Sequence, residues 1–173
     1  MRYGFTIVEL LIAAGLFAML TAIAVGGFVN VIHTQRLVTA QLIAASNANL
    51  ALEQIARELR TGYDFKCRRP ASCVDSTDLE LKNALGQSIE YRYDDRNKTI
   101  ERSDDDGRNF ERITGTNLAI NRLFFWVVAG SGGSDGYPPR ILIMIQATPS
   151  TTTPGELPTI LLQTTVSSRV LDG

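Results

Sequence analysis

From Leu10 to Ile32 the chain carries no charged residue, a run of 23 positions. As a helix, that run is long enough to cross a hydrocarbon core about 30 Å thick. One carboxylate, Glu9, stands at its entrance, and a Gly4-Phe5 junction lies just before it. Composition excludes several function classes around this segment. The formal net charge is -1, which gives no general case for binding nucleic acid. The single histidine, His33, directly follows the apolar run. A catalytic histidine or a His-rich metal centre in the remaining chain is thereby excluded, which weakens most hydrolase and metalloenzyme readings.

Three readings compete for residues 1–32. A secretory signal peptide needs a basic start, an apolar stretch of about 7–15 residues and a small-x-small cleavage site. Ala22-Ile23-Ala24 could supply that site, but the apolar run continues beyond it and Glu9 is out of place in a basic start. A plain signal anchor leaves Glu9 at the interface, where it favours the helix N-terminus. The third reading uses every odd feature. A cut between Gly4 and Phe5 frees an α-amine one helical turn from Glu9. A carboxylate near a bilayer is costly unless paired. Amines on neighbouring subunits, staggered by one turn, would pair it and set a register for assembly.

The residues Gly4-Phe5-Thr6-Ile7-Val8-Glu9-Leu10-Leu11 resemble the N-terminal signature of type IV prepilins and type II secretion pseudopilins. In that family a membrane aspartyl peptidase cuts after the glycine and methylates the new amine. The resemblance implies cleavage at Gly4 and Phe5, N-methylation of Phe5, and an assembly contact through Glu9. It covers about residues 4–32. Many pilins kink the membrane helix at a proline, whereas this chain has none before Pro70; Gly15 and the Gly26-Gly27 pair could loosen the helix instead. Arg2 before the span and Arg36 after it barely decide orientation by charge. An inside N-terminus and an extracytoplasmic C-terminal part rest on the resemblance.

No proline or glycine interrupts residues 28–61, a segment rich in good helix formers. Ala45, Ala48, Leu52, Ile55 and Leu59 recur at spacings of three and four, which predicts one apolar stripe. Glu53 and Arg57 form an i,i+4 pair on the polar side, and Gly62 suits the position after the helix end. One helix of roughly 85 Å over residues 5–61 follows, at 1.5 Å per residue. The stripe serves as core, or else as a seam with partner subunits.

The rest reads as β-structure. Ser88 to Tyr93 alternates, residues 94–98 carry turn chemistry, and Thr99 to Arg102 forms the return strand. Leu118 to Ala129, Ile141 to Ile145 and Thr159 to Val170 add three strands, with loops over residues 130–139 and 148–158. The predicted fold class is α+β: a long N-terminal helix, its first half transmembrane, packed against an antiparallel sheet domain in a pilin-like manner. The predicted organisation is a leader over 1–4, a membrane and assembly helix over 5–32, its amphipathic extension over 33–62, and an extracytoplasmic β domain over 63–173. The helix end Leu52 to Arg60 and the closing strand Leu162 to Arg169 resemble, more loosely, the minor pseudopilin J group and related minor pilins.

Cys67 and Cys73 are separated by five residues, so no CxxC zinc or redox motif is present. Outside the cytoplasm they would form a structural disulfide displaying Arg68 and Arg69. Two free thiols and a metal pair are the alternatives. Asp104, Asp105, Asp106 and Asn109 form the only acidic cluster. A polar hairpin loop is the default there, with loose calcium binding as the alternative, because Arg102 breaks an EF-hand alignment. No other cofactor is expected, and neither a nucleophile motif nor a phosphate-binding loop is present. The resemblance implies a structural, non-enzymatic subunit anchored once in the cytoplasmic membrane. Its partners would be other minor and major pilin or pseudopilin subunits, the prepilin peptidase and the inner-membrane assembly platform. A membrane-anchored binding domain that never polymerises is the reading from another class.

Overall fold

The computed structural model describes residues 4, 6–68, 73–128, 138–150 and 159–169. One helix, α1 (Ile7–Thr61), is followed by β1 (Tyr63–Lys66), β2 (Asp78–Lys82), β3 (Ser88–Asp94), β4 (Thr99–Ser103), β5 (Glu111–Arg112), β6 (Leu118–Val128), β7 (Arg140–Pro149) and β8 (Ile160–Ser167). The fold class is α+β, as expected. The expected single sheet is two antiparallel sheets, one in the order β1-β2-β3-β4-β5 and one in the order β6-β7-β8. The strands β1, β2 and β5 went unrecognised because they are short and charged. Pro149 ends β7, so the first residues of the loop expected over 148–158 are strand.

The chain divides into two units, one ending at Thr39 and one beginning at Ala40. The first is helical, and residues 6–31 are all exposed. The leucines, isoleucines and phenylalanines of residues 6–31 are among these exposed positions, while Ile32 and Leu37 are half-buried. Thr21 and Thr34 donate their hydroxyls to the carbonyls of Phe17 and Asn30 (2.8 and 3.0 Å), so both are satisfied within the helix.

The second unit holds residues 40–61 of α1 and both sheets. Its buried helix positions are Ala44, Ala48, Ala51, Ile55, Ala56 and Leu59. The stripe expected at Ala45 and Leu52 is thus rotated by one residue, onto Ala44 and Ala51. Leu52, with its longer side chain, packs at the margin of the core instead. The same core takes Leu79, Leu81, Ile89, Tyr91 and Ile100 from the five-stranded sheet, and Leu123, Phe125, Ile141, Ile143 and Ile145 from the three-stranded one.

A bulge between Ile120 and Arg122 shifts the inward positions of β6 from even to odd numbers. The continuous apolar run Leu123–Val128 lies beyond the bulge, where the outward positions Trp126 and Val128 are also apolar. Tyr93 donates its hydroxyl to the Ile120 carbonyl at the bulge (3.0 Å). The helix end is closed by the chain following β8: the Arg169 amide donates to the Arg60 carbonyl (2.9 Å), and the Ser168 hydroxyl donates to the Gly62 carbonyl (2.7 Å). Gly62 is required for space rather than for a left-handed turn, because a Cβ there would collide with the Leu81 side chain.

Candidate functional site

Thr6 precedes the first helical residue and caps α1. Its amide and hydroxyl both donate to Glu9 Oε2 (3.2 and 3.1 Å), and the Glu9 amide donates back to Thr6 Oγ1 (3.3 Å). This is a capping box, with the cap residue and the third helical residue satisfying each other's amides. Its signal, Thr-x-x-Glu before an apolar run, stood in the sequence unread. Glu9 therefore has a local role as well as the expected intermolecular one. Gly4 is exposed, and a Cβ there would meet nothing within 4 Å. Phe5, expected to be cut from Gly4 and methylated, lies outside the described residues.

Among the described residues α1 is the one helix long and apolar enough to cross a membrane, and the apolar window within it is wholly unburied. Ile7 is 78% exposed and Phe17 71%, values that would be costly in water over so many consecutive positions.

Cys67 and Cys73 are joined by a disulfide, with Cα atoms 5.3 Å apart. Arg68 is exposed, its side chain 59% accessible, and is also tied back to the sheet. Its guanidinium turns back to donate to Glu90 Oε2 at 2.7 Å, and its amide donates to Asp78 Oδ2 at 2.9 Å. Arg69 lies outside the described residues. Glu90 is only 4% exposed, and burial pushes its carboxyl above the usual range while the Arg68 cation pulls it down. Gly107 closes over this pair with a φ of 74°, and a Cβ there would come within 2.5 Å of Glu90 Oε2. No larger residue fits.

The acidic cluster resolves into separate tasks. Both carboxylate oxygens of Asp105 are taken up by its own turn. The Arg108 and Asn109 amides and the Ser103 hydroxyl donate to Oδ1 (3.1, 2.8 and 2.7 Å), and the Asn109 side-chain amide donates to Oδ2. These donors, the Asn109 amide foremost, hold Asp105 down at about 2. Asp104 pairs with Arg102 at 3.3 Å. Asp106 takes a left-handed backbone, with a φ of 61°. Among the described residues, no three His, Cys, Asp or Glu side chains are grouped to hold a metal ion. Of the four calcium candidates Asp104, Asp105, Asp106 and Asn109, Asp105 and Asn109 are hydrogen-bonded to each other and Asp104 is paired with Arg102.

One polar cluster that the sequence did not reveal ties the helix to the five-stranded sheet. Tyr91, fully buried, donates its hydroxyl to Glu58 Oε2 (2.8 Å), and Arg102 Nε donates to Glu58 Oε1 (3.1 Å). Burial and the Glu58 carboxylate push the Tyr91 hydroxyl up, so it remains a donor at every physiological pH. Glu58 and Arg102 lie 44 residues apart, beyond any local pattern.

Comparison with family models, with curated proteins and with solved structures returns no match.

Proposed function

We propose that this chain is a minor pseudopilin or minor pilin, a structural subunit of a type II secretion or type IV pilus-like filament. The observation that carries the reading is an uninterrupted exposed apolar helix whose one carboxylate, Glu9, sits at its entrance behind a Gly4-Phe5 junction. Among the described residues nothing buries residues 7–31, so lipid and then neighbouring helices would cover them. Prepilin peptidase would cut after Gly4 and methylate Phe5. Glu9 would then exchange its capping contact with Thr6 for the amine of a neighbouring subunit on the assembly platform. The disulfide at Cys67 and Cys73 suits an extracytoplasmic sheet domain. No enzymatic step is assigned to it, and assembly energy would come from a separate ATPase. In the J-like version of this reading the subunit sits at or near the filament tip and helps to prime assembly.

Mass spectrometry of the N-terminal peptide from native membranes tests the processing. The expected chain begins at N-methylated Phe5. A chain keeping Met1, or one starting near Val25, overturns the reading in favour of a plain anchor or a secreted protein. Two substitutions then separate the roles of Glu9. Gln can still close a capping box, so Glu9→Gln removes the charge alone, whereas Glu9→Leu removes both. Both are expected to abolish incorporation into filaments. Normal incorporation of Glu9→Gln would leave Glu9 as a helix cap only.

A further inference from the structure

The turn between β3 and β4 carries Asn97-Lys98-Thr99, the one Asn-x-Ser/Thr tripeptide in the chain. In an exported protein this tripeptide is the acceptor for an N-linked glycan, a bulky group that needs a surface position. Asn97 is exposed, as are its neighbours Asp95, Arg96 and Lys98. Its Nδ2 donates one hydrogen to Asp94 Oδ2 (2.6 Å). The side-chain amide carries a second hydrogen, which a sugar can replace without breaking the turn. The backbone does not call for asparagine here: the left-handed residue of the turn is Lys98, with a φ of 53°.

Thr99 supplies an independent observation. It is 1% exposed, and among the described residues its Oγ1 is the one buried side-chain nitrogen or oxygen without a hydrogen-bond partner. Such a group costs stability, and valine, of nearly the same shape, would occupy the site without that cost. The fold therefore gives no reason for the hydroxyl, whereas an extended chain does. There, residues 97 and 99 lie on one side, so an enzyme can hold the hydroxyl of Thr99 while it acts on the amide of Asn97. In the closed hairpin Thr99 pairs with Asp94, and β6 docks beside it, the Ile120 amide donating to the Lys98 carbonyl (2.8 Å). Since β6 follows later in the chain, Thr99 stays accessible until that strand arrives.

We propose that Asn97 is an N-glycosylation site, modified during export before β6 covers Thr99. The co-substrate is an oligosaccharide carried on a polyprenyl diphosphate. Asn97 Nδ2 forms a bond to the anomeric carbon as the bond from that carbon to the diphosphate oxygen breaks. Nδ2 gives up one proton, and the polyprenyl diphosphate leaves with the electron pair. The remaining Nδ2 hydrogen keeps its contact with Asp94, and the glycan projects from the exposed turn. This inference rests on the extracytoplasmic placement of the sheet domain in the reading above, and not on cleavage or polymerisation.

The experiment is mass spectrometry of the peptide spanning residues 94–101, taken from the full chain in native membranes. Protease added outside spheroplasts locates the sheet domain in the same preparation. The expected result is a domain open to the protease and a peptide carrying a glycan on Asn97. Asn97→Gln and Thr99→Val should each lose the glycan completely, and Thr99→Ser should keep it at lower occupancy. An accessible domain with a bare peptide would overturn this inference and leave the placement standing. A protected domain would overturn the placement, and the inference with it. A glycan that persists in Thr99→Val would overturn the role of the hydroxyl. Unmodified chain, purified folded and added to native membranes, should acquire no glycan; its modification would overturn the order of events. Thermal unfolding tests the hydroxyl separately. In a host without such a transferase, Thr99→Val should melt no lower than the parent chain. A fall of several degrees would give the hydroxyl a task in the fold and overturn its assignment to the enzyme.

Discussion

The two stretches of α1 solve opposite problems with the same backbone. Residues 7–31 place large apolar side chains on every side of the helix and bury none of them. Residues 44–59 bury a narrow stripe made mostly of alanine, against two sheets. A helix that is apolar all round needs an apolar solvent or other helices around it. A helix with a small-residue stripe needs a close-fitting surface built by distant parts of its own chain. In this molecule, then, side-chain size marks the difference between a helix surface left exposed and one already filled.

Substitutions can break that contrast in either direction. The largest effect is expected from Glu9→Leu, which should eliminate filament incorporation while the thermal unfolding of the sheet domain, followed by the fluorescence of Trp126, stays unchanged. An equal loss of domain stability would show that the two stretches are not separable. Ala48→Leu should do the reverse. Extra methylenes in a packed site cost about 1–3 kcal/mol, so the domain should melt several degrees lower. The same change at Ala24, in the exposed stretch, should leave that melting unaltered. Tyr91→Phe should cost about 1 kcal/mol in the same assay through the lost hydroxyl contact with Glu58. A cost near zero would remove this contact from the forces holding the helix to the sheet.

The smallest effect lies at the Asp105 turn, which neither helical stretch touches. Its folded pKa, about 2, lies below the ordinary 3.8. The turn's contribution is therefore complete above about pH 4 and disappears as the pH falls through about 2. The amides of Arg108 and Asn109, followed by NMR, should titrate in that window and lose the response in Asp105→Asn. A midpoint near 3.8 would mean that the turn does not hold the carboxylate.

Local chemistry made much of the molecule legible from sequence. The uncharged run from Leu10 to Ile32, the three-and-four spacing that follows it, the alternation of Ser88 to Tyr93 and the turn before Thr99 each encode their element within a few residues. Three features needed the fold. The stripe rotated from Ala45 and Leu52 to Ala44 and Ala51 because periodicity locates a face only to within a residue. Two sheets replaced one because a bulge at Asn121 and short charged strands such as β5 leave no periodic trace. Arg68 stays exposed, and its pairing with the buried Glu90, on a strand 22 residues away, has no local trace.

By itself, the sequence determined where the helix is apolar all round and where the chain must turn, because side-chain polarity and backbone propensity act through near neighbours. Which carboxylate is buried at Glu90 and which tyrosine meets Glu58 were decided only by tertiary structure. Those outcomes depend on contacts between residues tens of positions apart, and on the space left once the core has closed.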